Sequence, residues 1–301
     1  MNLKIKVKSI FCVVLALVTV VLFCSCDFDF DFLFEETQPF DANGDILTIH
    51  YLDVGQGDSI FIELPTNETM LIDASVSAYG KGISKYIQEQ GYNKIDYLIA
   101  THPHADHIGG MRKLIQNLEV GKIYMPKATA TTNTYKKLLT EIQNKGLKIN
   151  TAKAGETIYE DEDLCIYLLA PNSDKYDNLN NYSAVIRIVY GNRAFLFMGD
   201  AEKISEKEIT ADVKADVLKL GHHGSSTSTS KEFLKKVQPI AAVASCGADN
   251  EYGHPHKETV ELLENEGIEF YRTDTMGTII ATSDGNSLDI TRDNPSVEKE
   301  N

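Results

Sequence analysis

The chain has 301 residues, with 29 basic and 44 acidic side chains, a formal charge of -15 and a hydrophobic fraction of 43%. Such a size and composition belong to a globular protein with a substantial core and exclude a disordered or collagen-like chain. The acidic excess argues against a broad lysine- and arginine-lined track for nucleic acid, in which each phosphate contact releases counterions and adds affinity.

Lys4, Lys6 and Lys8 lead into an apolar run from Ile10 to Phe23, followed by Cys24, Ser25 and Cys26. A basic start and an apolar stretch shorter than the roughly 20 residues of a spanning helix predict a secretory signal over 1–26, with an uncleaved membrane anchor as the alternative. The string "LFCSC" resembles the bacterial lipoprotein cleavage box. That resemblance implies lipidation of Cys26 and an extracytoplasmic, membrane-anchored bacterial lipoprotein; a secreted or signal-anchored chain is the alternative. Residues 27–44, which open with "DFDFDF", are expected to be a tether, 45–290 the folded domain, and 291–301 a polar tail that frays. Beyond Cys26 only Cys165 and Cys246 remain, too few for a disulfide-built scaffold.

In chain order, 46–54, 59–63 and 70–72 read as short strands separated by the turns "DVGQGD" and "PTNE". A helix over 80–91 and a buried strand over 95–100 follow. After Gly109 and Gly110 come a second helix, the strand "KIYM", a helix over 132–145 and a strand over 165–169. Segments 183–190 and 193–198 flank Gly191-Asn192 as a hairpin. Strands over 217–220, 240–245 and 278–281 alternate with helices over 231–237 and 257–267. Hairpins mixed with strand-helix alternation predict two sheets covered by helices, and leave the strand order open.

"THPHADHIGG", residues 101–110, ends the 95–100 strand and carries three of the chain's eight histidines. In an extended backbone His102 and His104 point the same way, and a turn at Asp106 and His107 offers two more donors to a neighbouring ion. Divalent metals need such convergent donors, each at about 2 Å. Asp200 follows the apolar run "AFLFM", His222 and His223 follow "VLKL", and His254 and His256 lie in "NEYGHPH". Only His50 stands outside these clusters, within a strand, where a packed or hydrogen-bonded role is expected. "DVGQGDS" lacks the GxxxxGK[ST] arrangement of a nucleotide-binding loop.

"THPHADHIGG" and "FLFMGD" resemble the metallo-beta-lactamase superfamily, which implies an α/β fold, the four-layered αβ/βα sandwich, with one or two metals at the sheet edges. "LDVGQGDS", "LKLGHHGSSTS", "NEYGHPH" and "RTDTMGTI" resemble, more narrowly, the hydrolase domain of the ComEC/Rec2 competence proteins over about residues 46–282. By that resemblance His102 and His104 belong to one metal, Asp106 and His107 to the other, and Asp200 bridges them. No histidine stands between 108 and 199 to complete the usual set. The resemblance to the competence branch implies that the "HHGS" and "GHP" histidines complete it. His222, with His223 as the alternative within the pair, is expected for the first site and His254 for the second, with His223 facing substrate or standing behind the metals, and Asp106 and His223 the catalytic pair. Asp53, Gln56 and Asp58 are candidates behind the metals, and Lys219, Ser225 and Ser226 for substrate.

The implied activity is metal-dependent hydrolysis, most directly of a phosphodiester, either extracytoplasmic DNA or a smaller compound. Two divalent ions are expected, zinc first and manganese as the alternative. A noncatalytic envelope binding protein stabilised by its metals is the other class. The membrane is the expected partner, through Cys26 or the uncleaved anchor, and no protein partner is indicated.

Overall fold

A computed structural model describes residues 45–293 and 297–300. The signal, Cys26 and the tether over 27–44 lie outside the described residues. Strands β1 (Leu47–Tyr51), β2 (Ile60–Glu63), β3 (Thr69–Ile72), β4 (Lys94–Ile99), β5 (Glu119–Met125) and β6 (Ile149–Thr151) build one sheet together with β14 (Thr278–Ser283) and β15 (Asp289–Asp293). The second sheet contains β7 (Thr157–Glu160), β8 (Leu164–Ala170), β9 (Val185–Tyr190), β10 (Arg193–Phe197), β11 (Val217–Lys219), β12 (Ala241–Ala244) and β13 (Glu269–Arg272). Their orders are β15-β14-β1-β2-β3-β4-β5-β6 and β13-β12-β11-β10-β9-β8-β7.

Period-two alternation explains why the sheets stack. Leu47, Ile49 and Tyr51 of β1 and Ile60 and Ile62 of β2 meet Ile166, Ile186, Phe195, Phe197 and Val243 from the other sheet in one buried cluster. Their neighbours along the strands point outward. Phe61, Leu71 and Leu98 pack under helices α1 (Gly80–Glu89), α2 (Ala105–Ile108), α3 (Met111–Asn117) and α4 (Asn133–Asn144) through Ile83, Ile108, Leu114 and Leu138. On the other side Leu196, Leu218 and Ala242 pack against Phe233, Leu234 and Leu263 of α6 (Lys231–Val237) and α7 (Lys257–Asn265); the short α5 (Lys203–Glu208) precedes β11. Four layers result, helix, sheet, sheet, helix, as the expected αβ/βα sandwich requires.

Within each sheet the centre is parallel. β3, β4, β5 and β6 run parallel, as do β10, β11, β12 and β13. The segments after β4, β10, β11 and β12 therefore carry the histidine and aspartate motifs out of strand carboxyl ends. Part of the 291–301 tail expected to fray instead continues the fold: 291–293 complete β15, Val297 is buried, and its N–H donates to Asp53 O at 3.1 Å. Among the described residues no helix is long and apolar enough to cross a membrane.

Candidate metal centre

Asp200 lies at the middle of the site, and its two oxygens face different histidines. Oδ1 is 3.2 Å from His107 Nε2 and 3.6 Å from His223 Nε2. Oδ2 is 3.5 Å from His102 Nε2 and 3.8 Å from His222 Nε2. His104 Nδ1 stands 2.9 Å from His102 Nε2. Asp106 Oδ2 completes the first side, 3.4 Å from His223 Nε2 and 3.8 Å from His107 Nε2. Four donors bound at about 2.0–2.1 Å to a tetrahedral ion are about 3.3–3.4 Å apart, so the separations around Asp106, His107, Asp200 and His223 suit such an ion.

Hydrogen bonding supplies a second, independent sign. His107 Nδ1 donates to Asp73 Oδ2 at 2.7 Å, and His223 Nδ1 donates to the carbonyl of Ser245 at 2.9 Å. Each ring is thereby oriented with Nε2 toward Asp200. Yet His107 Nε2, His223 Nε2 and Asp200 Oδ1 are buried without a hydrogen-bond partner. Orphaned polar atoms that converge on one point are costly unless positive charge lies between them. The electrostatics agree. Burial opposes charge on His223, but Asp200 and Asp58 outweigh it and push the imidazole up to about 9. Burial likewise opposes ionisation of Asp200, and His107, His223 and His102 reverse this and hold it well below the usual carboxylate range. The cluster demands cations, and extra protons or a divalent ion can meet that demand.

The backbone around these side chains is shaped for close approach. His222 and His223 both have left-handed dihedrals, φ 50° and 55°, a conformation that costs a non-glycine residue about 1–3 kcal/mol. It is held by His222 N–H donating to Gly199 O at 2.9 Å and by the His223 ring on Ser245. Gly57, with φ +136°, allows the β1–β2 loop to lie on the "HADH" turn, since a Cβ there would meet Asp106 O at 2.4 Å. The next residue, Asp58, accepts from the fully buried Lys219 Nζ at 2.8 Å and sits 3.1 Å from His223 Nδ1. Burial would raise its carboxyl, but Lys219 and His223 bring it down to about 2.

The structure thus brings His102, His104, Asp106, His107, Asp200, His222 and His223 together. His104, His222 and His254 belong to none of the donor groups within 4.8 Å of one another. His104 Nδ1 nevertheless reaches His102 Nε2 and His222 Nε2 faces Asp200 Oδ2, whereas His254 meets the cluster only through ring contacts. Its ring lies 5.2 Å from that of His222 and 5.9 Å from that of His223, on the wall of a cavity of about 330 Å3 shared with Gln56, Asn180 and Tyr252. Of the candidates behind the metals, Asp58 contacts His223, Gln56 lines the cavity, and Asp53 caps its own loop by accepting from Gly55 N–H at 3.3 Å. Lys219 pairs with Asp58, Ser225 bonds Thr227, and Ser226 bonds His256. Asp73 and Ser183 are additional. Ser183 Oγ lies 3.3 Å from His102 Nδ1 and accepts from Asp200 N–H at 3.0 Å. Asp73 follows the apolar strand "TMLI", the same placement that marks Asp200. His50, as expected, is packed, with its ring nitrogens 2.9 Å from Tyr86 OH and Glu63 Oε1.

This fold and donor geometry define a class, and the chain belongs to it: the family model for the metallo-beta-lactamase superfamily matches residues 52–248. Its curated matches include competence proteins of the ComEC/Rec2 family. ComE operon protein 3 of Bacillus subtilis (strain 168) is 33% identical over 251 residues, covering 77% of this chain and 32% of that protein. Competence protein ComA of Neisseria gonorrhoeae is 29% identical over 231 residues, covering 75% and 31%. The chain spans about a third of the length of these relatives. Among solved structures CmlA, a diiron beta-hydroxylase from Streptomyces venezuelae, is similar at a TM-score of 0.51 and 15% identity, covering 82% of this chain and 54% of that one. That likeness concerns the fold alone.

Proposed function

We propose that the chain is a two-metal phosphodiesterase in which Asp106, His107, Asp200 and His223 hold one ion and His102, His104, Asp200 and His222 the other. The observation that carries this reading is Asp200, whose separate oxygens face the two histidine sets. His223 then takes the ligand position expected for His254, and His254 lines the substrate cavity. Two bound divalent ions, zinc or manganese, would lower the pKa of water and neutralise charge on a phosphoryl group.

The protein's own residues prepare that chemistry. Asp73 and Ser245 fix the His107 and His223 tautomers, so that Nε2 offers its lone pair. Lys219 offsets the Asp58 charge behind His223. Gln56, Asn180 and Tyr252 on the cavity wall can contact a substrate. The shared carboxylate Asp200 and the "HHGS" motif, which resemble the phosphodiesterase side of the superfamily, are the ground for a phosphodiester, whether DNA or a smaller compound. A second cavity, of about 380 Å3 near Arg187 and Arg193, offers phosphate less, because both arginines are engaged, by Asp212 and Asp216 at 2.9 and 3.0 Å.

The test is metal analysis of purified protein together with assays on single-stranded DNA, double-stranded DNA, bis-p-nitrophenyl phosphate and a phosphorylcholine ester. Two ions per chain and diester cleavage are expected. Asp200→Asn should lower activity by at least about 100-fold, as loss of a charged ligand shared by both sites implies. Full activity in that variant refutes the shared carboxylate, whereas metal uptake without any cleavage favours the metal-stabilised binding protein.

We also propose lipidation at Cys26, supported by the lysine-led apolar run and "LFCSC". Intact-mass measurement on the protein from its native host should show a diacyl- or triacylglyceryl cysteine at the new N-terminus; an unprocessed or unlipidated mass rejects it.

A further inference from the structure

Tyr252 is the most solvent-exposed of the large apolar side chains among the described residues, at 66%, and of the five in that set it alone lines the histidine-aspartate cavity. An exposed aromatic ring is common on flexible loops, but here the loop is pinned. Asn250 donates through Nδ2 to Gly247 O at 2.9 Å and His254 O at 2.7 Å, and its Oδ1 accepts from His254 N–H at 2.9 Å. Ser226 N–H donates to His256 Nδ1 at 3.0 Å, which leaves the proton on Nε2 to donate to Tyr252 O at 3.1 Å. The loop is thus tied to the segment that follows His222 and His223. The Tyr252 ring itself stacks on His254, with centroids 5.7 Å apart and planes inclined by 18°. His254 in turn borders His222 and His223. One face of the phenol ring is held by the site, the other is open, and the hydroxyl makes no hydrogen bond among the described residues.

Resting on the phosphodiesterase reading, we propose that Tyr252 is a specificity-determining residue whose open face stacks the nucleobase next to the phosphate that the ions shared by Asp200 would hold. A flat partner is favoured over a quaternary ammonium headgroup, because cation recognition uses several rings arranged as a cage, and here one ring is backed by another in parallel. Stacking on a single ring accepts any base, which suits a cavity otherwise lined by ligands and amides.

The test is calorimetric binding of dAMP, 2-deoxyribose 5-phosphate and phosphocholine to the metal-loaded full chain, with metal content measured on the same samples. Wild type should bind dAMP at least about 5-fold more tightly than the sugar phosphate. Tyr252→Ala should reduce that ratio to within about 2-fold with metal content unchanged, and Tyr252→Phe should restore it. Equal affinities in wild type, no binding by a two-metal protein, or a dAMP preference that survives Tyr252→Ala each overturns the proposal. So does a phosphocholine preference that Tyr252→Ala removes, which would assign the ring to a cation. A wild type that takes up no metal overturns both this inference and the reading beneath it.

Discussion

At the scale of single residues, the site turns on which nitrogen meets which oxygen. "HHGS" shows two adjacent histidines, and nothing in their order separates a ligand from a neighbour. The separation comes from the left-handed pair of dihedrals, which send His222 Nε2 toward Asp200 Oδ2 and His223 Nε2 between Asp106 and Asp200 Oδ1. The close grouping of His102, His104, Asp106 and His107 was legible because four donors fall within six positions. The position of His223 was not, since its contact with Asp106 runs between segments of different sheets, and that of His254 rests on a loop that turns back onto His222 and His223. The proposed assignment predicts that His223→Ala reduces bound metal from two ions to one, while His254→Ala keeps two. Elemental analysis decides it, and the opposite pattern would return His254 to the ligand set.

At the scale of elements, the strands that the sequence revealed are those buried along nearly their whole length, which read as apolar runs. β1, β2 and β10 are of this kind. β6, β7 and β13 are short and largely solvent-facing, so they lack the periodicity by which a strand is recognised, and they escaped the sequence reading. The glycines of "DVGQGD" were legible as a turn but not as a packing requirement. Gly57→Ala should destabilise the protein by more than about 1 kcal/mol and weaken metal binding, because the new methyl group would displace the Asp106 carbonyl. Gly91, with φ +96° and nothing within 4 Å of an added Cβ, is the control: Gly91→Ala should carry the backbone strain and leave metal binding intact. Urea denaturation with metal titration distinguishes them, and equal metal affinity in both variants would remove the role given to Gly57.

At the scale of the whole molecule, one sheet contributes the 102–107 motif with Asp58 and Asp73, and the other contributes Asp200, His222 and His223. An ion held by both halves stabilises the native state by RT ln(1 + [M]/Kd), about 4 kcal/mol at a thousandfold excess over Kd. For a chain of this size that corresponds to a rise in Tm on the order of 10 °C. Chelation should therefore lower the melting temperature by this order, and readdition of zinc or manganese should restore it. A calorimetric trace unmoved by either treatment would show that the grouped donors do not bind metal in the folded state.

The buried pair of Asp58 and Lys219 joins positions 161 residues apart, and His102 meets Ser183 across 81. Segments so distant find one another late and slowly, because the intervening chain must first surrender its freedom. A half-synthesised chain holds the 102–107 cluster with Asp58 and Asp73, and none of Asp200, His222 and His223. Ion capture is thus expected at the end of maturation, in whichever compartment the two sheets finally dock. Similar donor sets bind several first-row metals, so the supply in that compartment would help to decide which metal the protein takes up.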